Sequence, residues 1–261
     1  MTTPSLRRLE GLTALVTGST RGLGRVTADW LAREGARVII HGRAEEDVSR
    51  VVAEIEGAGH DVLGTTSDLG TVAGAHQLAE TVLGMVDRLD ILVNNAGASI
   101  RGNFWDVSDE AFDYQTNVNY RSPFILCQYA ARHMIEKEIP GRIVNTSTIG
   151  AHSCHADALV YDAAKGAVEV MTRNMAFELG RYGITVNTVI PGAIAERPGA
   201  NGTTDAWNRY AARNIPLGRV GRAEDIAATV LFFCLPESRF ISGQSLLVDG
   251  AHNTWLPEDN T

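Results

Sequence analysis

Short apolar runs that end in Gly, Asn or Asp alternate along the chain with longer amphipathic stretches. The runs fall at 12–18, 37–42, 61–68, 89–97, 142–148, 184–192 and 245–250. Several are apolar at consecutive positions, as in Val38-Ile39-Ile40 and Ile91-Leu92-Val93, a pattern that suits strands buried on both faces. Between them, 23–34, 45–56, 73–86, 109–138 and 160–182 carry apolar residues at helical spacing. In the last of these, Ala163, Ala167, Val170, Met171 and Met175 recur along one side. Repeated strand–helix alternation predicts an α/β domain with a parallel sheet, helices on both faces and right-handed crossovers.

The 261 residues suffice for one large domain, and no Pro/Ser-rich linker or charge block divides them. The segment 192–216, with Gly192, Pro198, Gly199, Gly202 and Pro216, is long for a connection and reads as a substrate-side flap. A formal charge of −8 argues against a nucleic-acid or anionic-membrane surface. Three scattered cysteines rule out a disulfide framework, and Cys154 is expected as a buried structural thiol. The first residues lack the apolar core of a secretory signal, and no run approaches the ~18 apolar residues that span a bilayer. A cytoplasmic protein is expected.

Candidate chemistry begins where the first run enters Thr17-Gly18-Ser19-Thr20-Arg21-Gly22-Leu23-Gly24 and then a helix. Glycines there let the backbone approach a pyrophosphate, and the helix offers free N–H groups and a positive dipole end. The second run ends Ile40-His41-Gly42-Arg43, with no acidic residue to bind a ribose 2′-hydroxyl until Glu45. Arg43, with Arg21, instead suits a 2′-phosphate, so NADP(H) is preferred over NAD(H).

Tyr161 and Lys165 stand at i and i+4, on one face of a helix. A nearby ammonium favours the phenolate, and a phenol tuned in this way exchanges a proton with a carbonyl or alcohol oxygen. With Asn94-Asn95-Ala96-Gly97, Asn119, Pro191-Gly192 and the closing Gly243-Gln244 and Val248-Asp249-Gly250, these motifs lie in an order that resembles the short-chain dehydrogenase/reductase family. The likeness runs over nearly the whole chain. It implies a Rossmann-type doubly wound sheet of about seven strands, a homodimer or homotetramer built on 109–138 and 160–182, and a catalytic set of Asn119, Thr148, Tyr161 and Lys165. Within that set Tyr161 is the general acid/base, Lys165 lowers its pKa and holds the nicotinamide ribose, and Asn119 anchors a water leading to Lys165. Asp68 and Leu69 would border the adenine. Asn95, Ala96 and Gly97 would line the cofactor together with Pro191 and Gly192, and the Ile194 backbone would meet the carboxamide.

Two positions depart from the family pattern. Its serine, thirteen residues before the tyrosine, is here Thr148, with Ser147 adjacent as the alternative. Glu196 stands where the family commonly has Thr. His152, Ser153 and His155 offer substrate contacts, and no further His/Cys/Asp/Glu set joins the two histidines as metal ligands. Trp207 and Tyr210 either cover the substrate or form the apolar side of a short helix. Glu45-Glu46 and Asp109-Glu110 read as first-turn helix residues. The resulting expectation is an NADP(H)-preferring alcohol/ketone oxidoreductase with a small polar substrate. A 3-oxoacyl-carrier-protein reductase and a non-catalytic nucleotide-binding protein are the alternatives.

Overall fold

The computed structural model describes residues 7–195 and 205–254. Seven parallel strands form one sheet in the order β3-β2-β1-β4-β5-β6-β7. These are β1 Thr13–Val16, β2 Arg37–Gly42, β3 Val62–Thr66, β4 Ile91–Asn94, β5 Arg142–Thr146, β6 Thr185–Pro191 and β7 Ser245–Val248. The consecutive apolar positions are explained by the pleat. Ala14, Val16, Val38, Ile40, Ile91, Val93 and Val144 point to one face, against α1 Gly22–Arg33, α2 Glu45–Gly57 and α8 Ala223–Cys234. Leu15, Ile39, Leu92 and Ile143 point to the other, against α3 Val72–Met85 and α5 Ser122–Glu136. The middle positions of β1, β2 and β4 therefore need apolar side chains in succession.

The single helix expected over 109–138 is divided. It runs as α4 Asp109–Thr116, a π-helical segment Asn117–Arg121 and then α5, with the Ser122 N–H donating to the Asn117 carbonyl. Pro123 supplies the reason, because it has no N–H for the carbonyl four residues back, that of Asn119. The expected helix over 160–182 is α6, Leu159–Leu179, followed by a 3₁₀ turn. Part of the expected flap is also helical, as α7 Asp205–Asn214, while Glu196, Pro198, Gly199 and Gly202 lie outside the described residues. Cys127 and Cys234 are buried, but Cys154 is exposed. That corrects its expected burial, since the β5–α6 loop turns residues 152–154 outward. No helix among the described residues is long and apolar enough to cross a membrane.

Candidate active site

The strand order reverses between β1 and β4, and the crevice beyond the carboxyl ends of these strands is where an open α/β sheet takes a ligand. The turn after β1 is built for backbone approach. Gly18 and Gly22 have φ of +64° and +58°. A Cβ at Gly24 would lie 2.4 Å from the Gly18 carbonyl oxygen, so only glycine lets α1 begin this close to the turn. Thr71 and Ser108 cap α3 and α4 through their side chains, whereas Arg21 at the start of α1 provides no such cap. The first N–H groups of α1 are therefore available to an anion. This cradle fits a dinucleotide pyrophosphate.

The turn is held from both sides. Asn95 Nδ2 donates to the Thr17 carbonyl at 2.9 Å, and the Asn95 and Ala96 N–H groups both donate to Thr17 Oγ1 at 3.0 Å. Ser19 is fully buried, its hydroxyl donating to the Val16 carbonyl at 2.7 Å and accepting the His41 N–H at 3.0 Å. Its side chain is thus a staple of the turn.

His41 is a residue that periodicity did not single out. Burial pushes its imidazole down to about 4, so it is neutral near pH 7. Nδ1 accepts the Gly18 N–H at 3.2 Å, which leaves the proton on Nε2 to bond Ser67 Oγ at 3.0 Å. A buried histidine between an apolar strand and a glycine gives no periodic signal.

Beyond it, Arg43 is exposed and reaches Tyr114 Oη at 2.9 Å, with no carboxylate partner among the described residues. Glu45 accepts from Ser49 Oγ along its own helix. Arg21 and Thr20 lie on the same rim, and Gly42 keeps room for Thr20, whose Cγ2 would be 2.5 Å from a Cβ there. Asp68 is exposed beside β3, its Oδ1 accepting from the Gly70 N–H. Leu69 follows with its side chain packed into the core, where Ser122 Oγ donates to its carbonyl.

Tyr161 and Lys165 project from the first turns of α6 toward the ends of β4 and β5. Thr148, which ends the β5 segment, stands at the Tyr161 phenol and acts on it in the sense that favours phenolate. Ser147 points the opposite way, its hydroxyl donating to Glu169 Oε1 at 2.6 Å with the Lys165 carbonyl 3.2 Å from its oxygen. The strand alternation thus puts the threonine, not the serine, at the phenol. Lys165 Nζ is 5.9 Å from the Tyr161 ring centroid and donates to the Thr146 carbonyl at 2.8 Å.

The electrostatics differ from the simple i,i+4 expectation. Burial raises the Tyr161 phenol above its ordinary value, and the Lys165 charge is not among the influences on it. Burial also pushes the Lys165 ammonium down to about 8. Desolvation is the largest cause of both shifts.

Asn119 is fully buried in the π-helical segment. Its Nδ2 donates to the Ala98 and Gln115 carbonyls at 2.6 and 2.9 Å, and its Oδ1 accepts the Ala98 N–H at 3.1 Å. The side chain is committed to clamping the β4–α4 connection. Between Asn119 and Lys165 sits Gly97, where a Cβ would stand 3.3 Å from Asn119 Oδ1 and 3.7 Å from Lys165 Nζ. On the far side, Gly192 packs on Asp249, whose Cβ would be 2.6 Å from its own, beside Pro191 of β6, and Ile194 forms a bridge to Gly221.

The β5–α6 loop is pinned to α6 by two histidine–carboxylate pairs. His152 Nε2 lies 2.9 Å from Glu169 Oε2, and His155 Nδ1 lies 2.9 Å from Asp162 Oδ1. Ser153 Oγ turns back to the Ile149 carbonyl. Trp207 and Tyr210, both exposed on α7, form an edge-to-face pair, and Tyr210 Oη bonds His252 Nε2 at 3.0 Å. Glu45, Glu46, Asp109 and Glu110 all lie in first helical turns.

A family model described as "Enoyl-(Acyl carrier protein) reductase" matches residues 18–252. A (2S)-[(R)-hydroxy(phenyl)methyl]succinyl-CoA dehydrogenase subunit of Thauera aromatica is 37% identical, over 94% of this chain and 98% of its own. Carbonyl reductase (NADPH) 2 of Sus scrofa is 36% identical, over 93% and 96% respectively. Among solved structures, a gluconate 5-dehydrogenase from Burkholderia cenocepacia, in complex with NADP and tartrate, superposes with a TM-score of 0.88. It is 30% identical and covers 97% of this chain and 99% of its own.

Proposed function

Because the chain belongs to the short-chain dehydrogenase/reductase family, NAD(P)-dependent oxidoreductases of CH–OH and C=O groups, we propose that it prefers NADP(H) and interconverts a small polar secondary alcohol and its ketone. The observation that carries this reading is Thr148 and Tyr161 meeting at the end of β5, with buried Lys165 beneath them. In the reducing direction the Tyr161 hydroxyl gives its proton to the carbonyl oxygen while the Thr148 hydroxyl donates to the same oxygen and fixes its position. In the oxidising direction Tyr161 takes that proton back. The bound nicotinamide supplies or accepts the hydride.

Residues 18–24 would hold the pyrophosphate, and Arg43 with Arg21 the 2′-phosphate. Asp68 would border the adenine, and Asn95, Ala96, Gly97, Lys165, Pro191, Gly192 and the Ile194 backbone the nicotinamide end. Exposed Arg43, without a carboxylate partner among the described residues, and Glu45 turned toward Ser49 support the NADP(H) preference. The 192–216 segment acts as the flap, with exposed Trp207 and Tyr210 facing outward from α7. His155 contributes to the substrate wall. Exposed Phe112 on α4, Phe124 on α5, and Val170 and Phe177 on α6 support a homodimer or homotetramer, and the reading places the protein in the cytoplasm. Turnover of a panel of small polar ketones with NADPH and with NADH tests the reading; activity on none of them overturns it.

A further inference from the structure

Many arginines of this chain are held by carboxylates, as Arg8 is by Glu34, Arg25 by Asp29, Arg88 by Asp90 and Arg219 by Asp225. Arg101, exposed in the connection after β4, has no ion-pair partner among the described residues. Its guanidinium is seated by a single neutral acceptor, the Ala156 carbonyl, at 2.9 Å from Nη1. The neighbouring Gly102 N–H donates to the Asp157 carbonyl, also at 2.9 Å. Two bonds therefore fasten this connection to the β5–α6 loop beside the site.

The seat itself is rigid. His155, immediately before Ala156, is gripped twice by Asp162: its N–H reaches Oδ2 at 2.8 Å and its Nδ1 lies 2.9 Å from Oδ1. Asp162 is the residue after Tyr161, so the same clamp fixes Arg101's carbonyl acceptor relative to the phenol. The guanidinium is close enough for its charge to favour the Tyr161 phenolate. The groups facing this mouth are Arg101 and buried Lys165, set against Asp162, already engaged by His155, and exposed Asp157. With Nη1 on Ala156, the Nη2 and Nε edge of Arg101, which has no partner among the described residues, presents two parallel donors, the arrangement that matches a carboxylate.

Resting on the oxidoreductase reading above, we infer that Arg101 is a substrate-binding residue that selects a carboxylate, so the reacting pair is a hydroxy acid and its keto acid. His155 and Asp162 are positioning residues for it. Calorimetric binding of acetoacetate and levulinate, each beside its methyl ester, to the NADP⁺-loaded protein tests this, followed by turnover of the same compounds with NADPH. The wild-type protein binds the acids more tightly than the esters. Arg101→Gln removes that advantage, weakening the acids roughly ten- to a hundredfold, while ester binding, NADPH affinity and melting temperature stay unchanged. Arg101→Lys restores part of the acid affinity. Equal or weaker binding of the acids by the wild type, or a parallel loss of acid and ester in Arg101→Gln, overturns the inference. An intact acid preference without turnover overturns the oxidoreductase reading alone.

Discussion

Lys165→Met should make this protein more stable and less active. Lys165 is buried and its ammonium is pushed from the ordinary 10.5 down to about 8. At ~1.4 kcal/mol per tenfold, holding the charged form in the folded state costs about 3 kcal/mol near pH 7. Methionine fills a similar volume without a charge. It also forfeits the bond from Nζ to the Thr146 carbonyl, worth about 1 kcal/mol. The net gain is about 2 kcal/mol, or about 4–8 °C in melting temperature for a chain of this size.

The pH dependence is the sharper signature of that cost. It is fully present below pH 8, where folded and unfolded chains both carry the proton. It fades between about 8 and 10.5, where only the unfolded chain does, so wild-type stability rises relative to the variant. By about pH 10 less than 1 kcal/mol of the cost remains and the variant's advantage vanishes. Calorimetric melting of both proteins across this range is the assay, with NADPH oxidation measured on the same samples. A Lys165→Met protein that is less stable at pH 7, or whose advantage does not change with pH, refutes the assignment of a desolvated ammonium.

Thr148→Val should lower kcat by about 10²–10³, the scale of losing one donor at a reacting oxygen. Thr148→Ser keeps most activity, and Ser147→Ala costs stability through Glu169 while sparing kcat; steady-state kinetics with thermal melts separate the three. Arg43→Ala should weaken NADPH roughly ten- to a hundredfold and leave NADH nearly unchanged, as read by nucleotide fluorescence titration. By contrast, His41→Ala loosens the Gly18 turn and should weaken both nucleotides by a similar factor. Equal loss of NADPH and NADH in Arg43→Ala contradicts the 2′-phosphate assignment.

The sheet was legible in the sequence because the middle positions of strands buried on both faces are apolar in succession, as at Ile91-Leu92-Val93. The glycine turn was legible because only glycine tolerates the approach at Gly24. Direction was harder to read than location. Ser19 and Leu69 sit where expected, yet one staples the turn and the other enters the core, because orientation depends on partners far along the chain, Val16 and His41 for one and Ser122 for the other. The π-helical segment escaped periodicity because one inserted residue within a long apolar helix barely disturbs its pattern, although Pro123 was the available clue. His41 and Arg101 escaped for the same reason: their roles come from contacts to distant backbone, Gly18 for one and Ala156 for the other.

The account stands or falls on proton transfer at Tyr161. Its most direct test is the rate of nicotinamide oxidation in a single turnover, with wild-type and Tyr161→Phe proteins each saturated with NADPH and mixed with a reducible ketone. The predicted result is unchanged NADPH affinity and a rate lowered by about 10²–10⁴ in the variant. Near-normal turnover by Tyr161→Phe would contradict it.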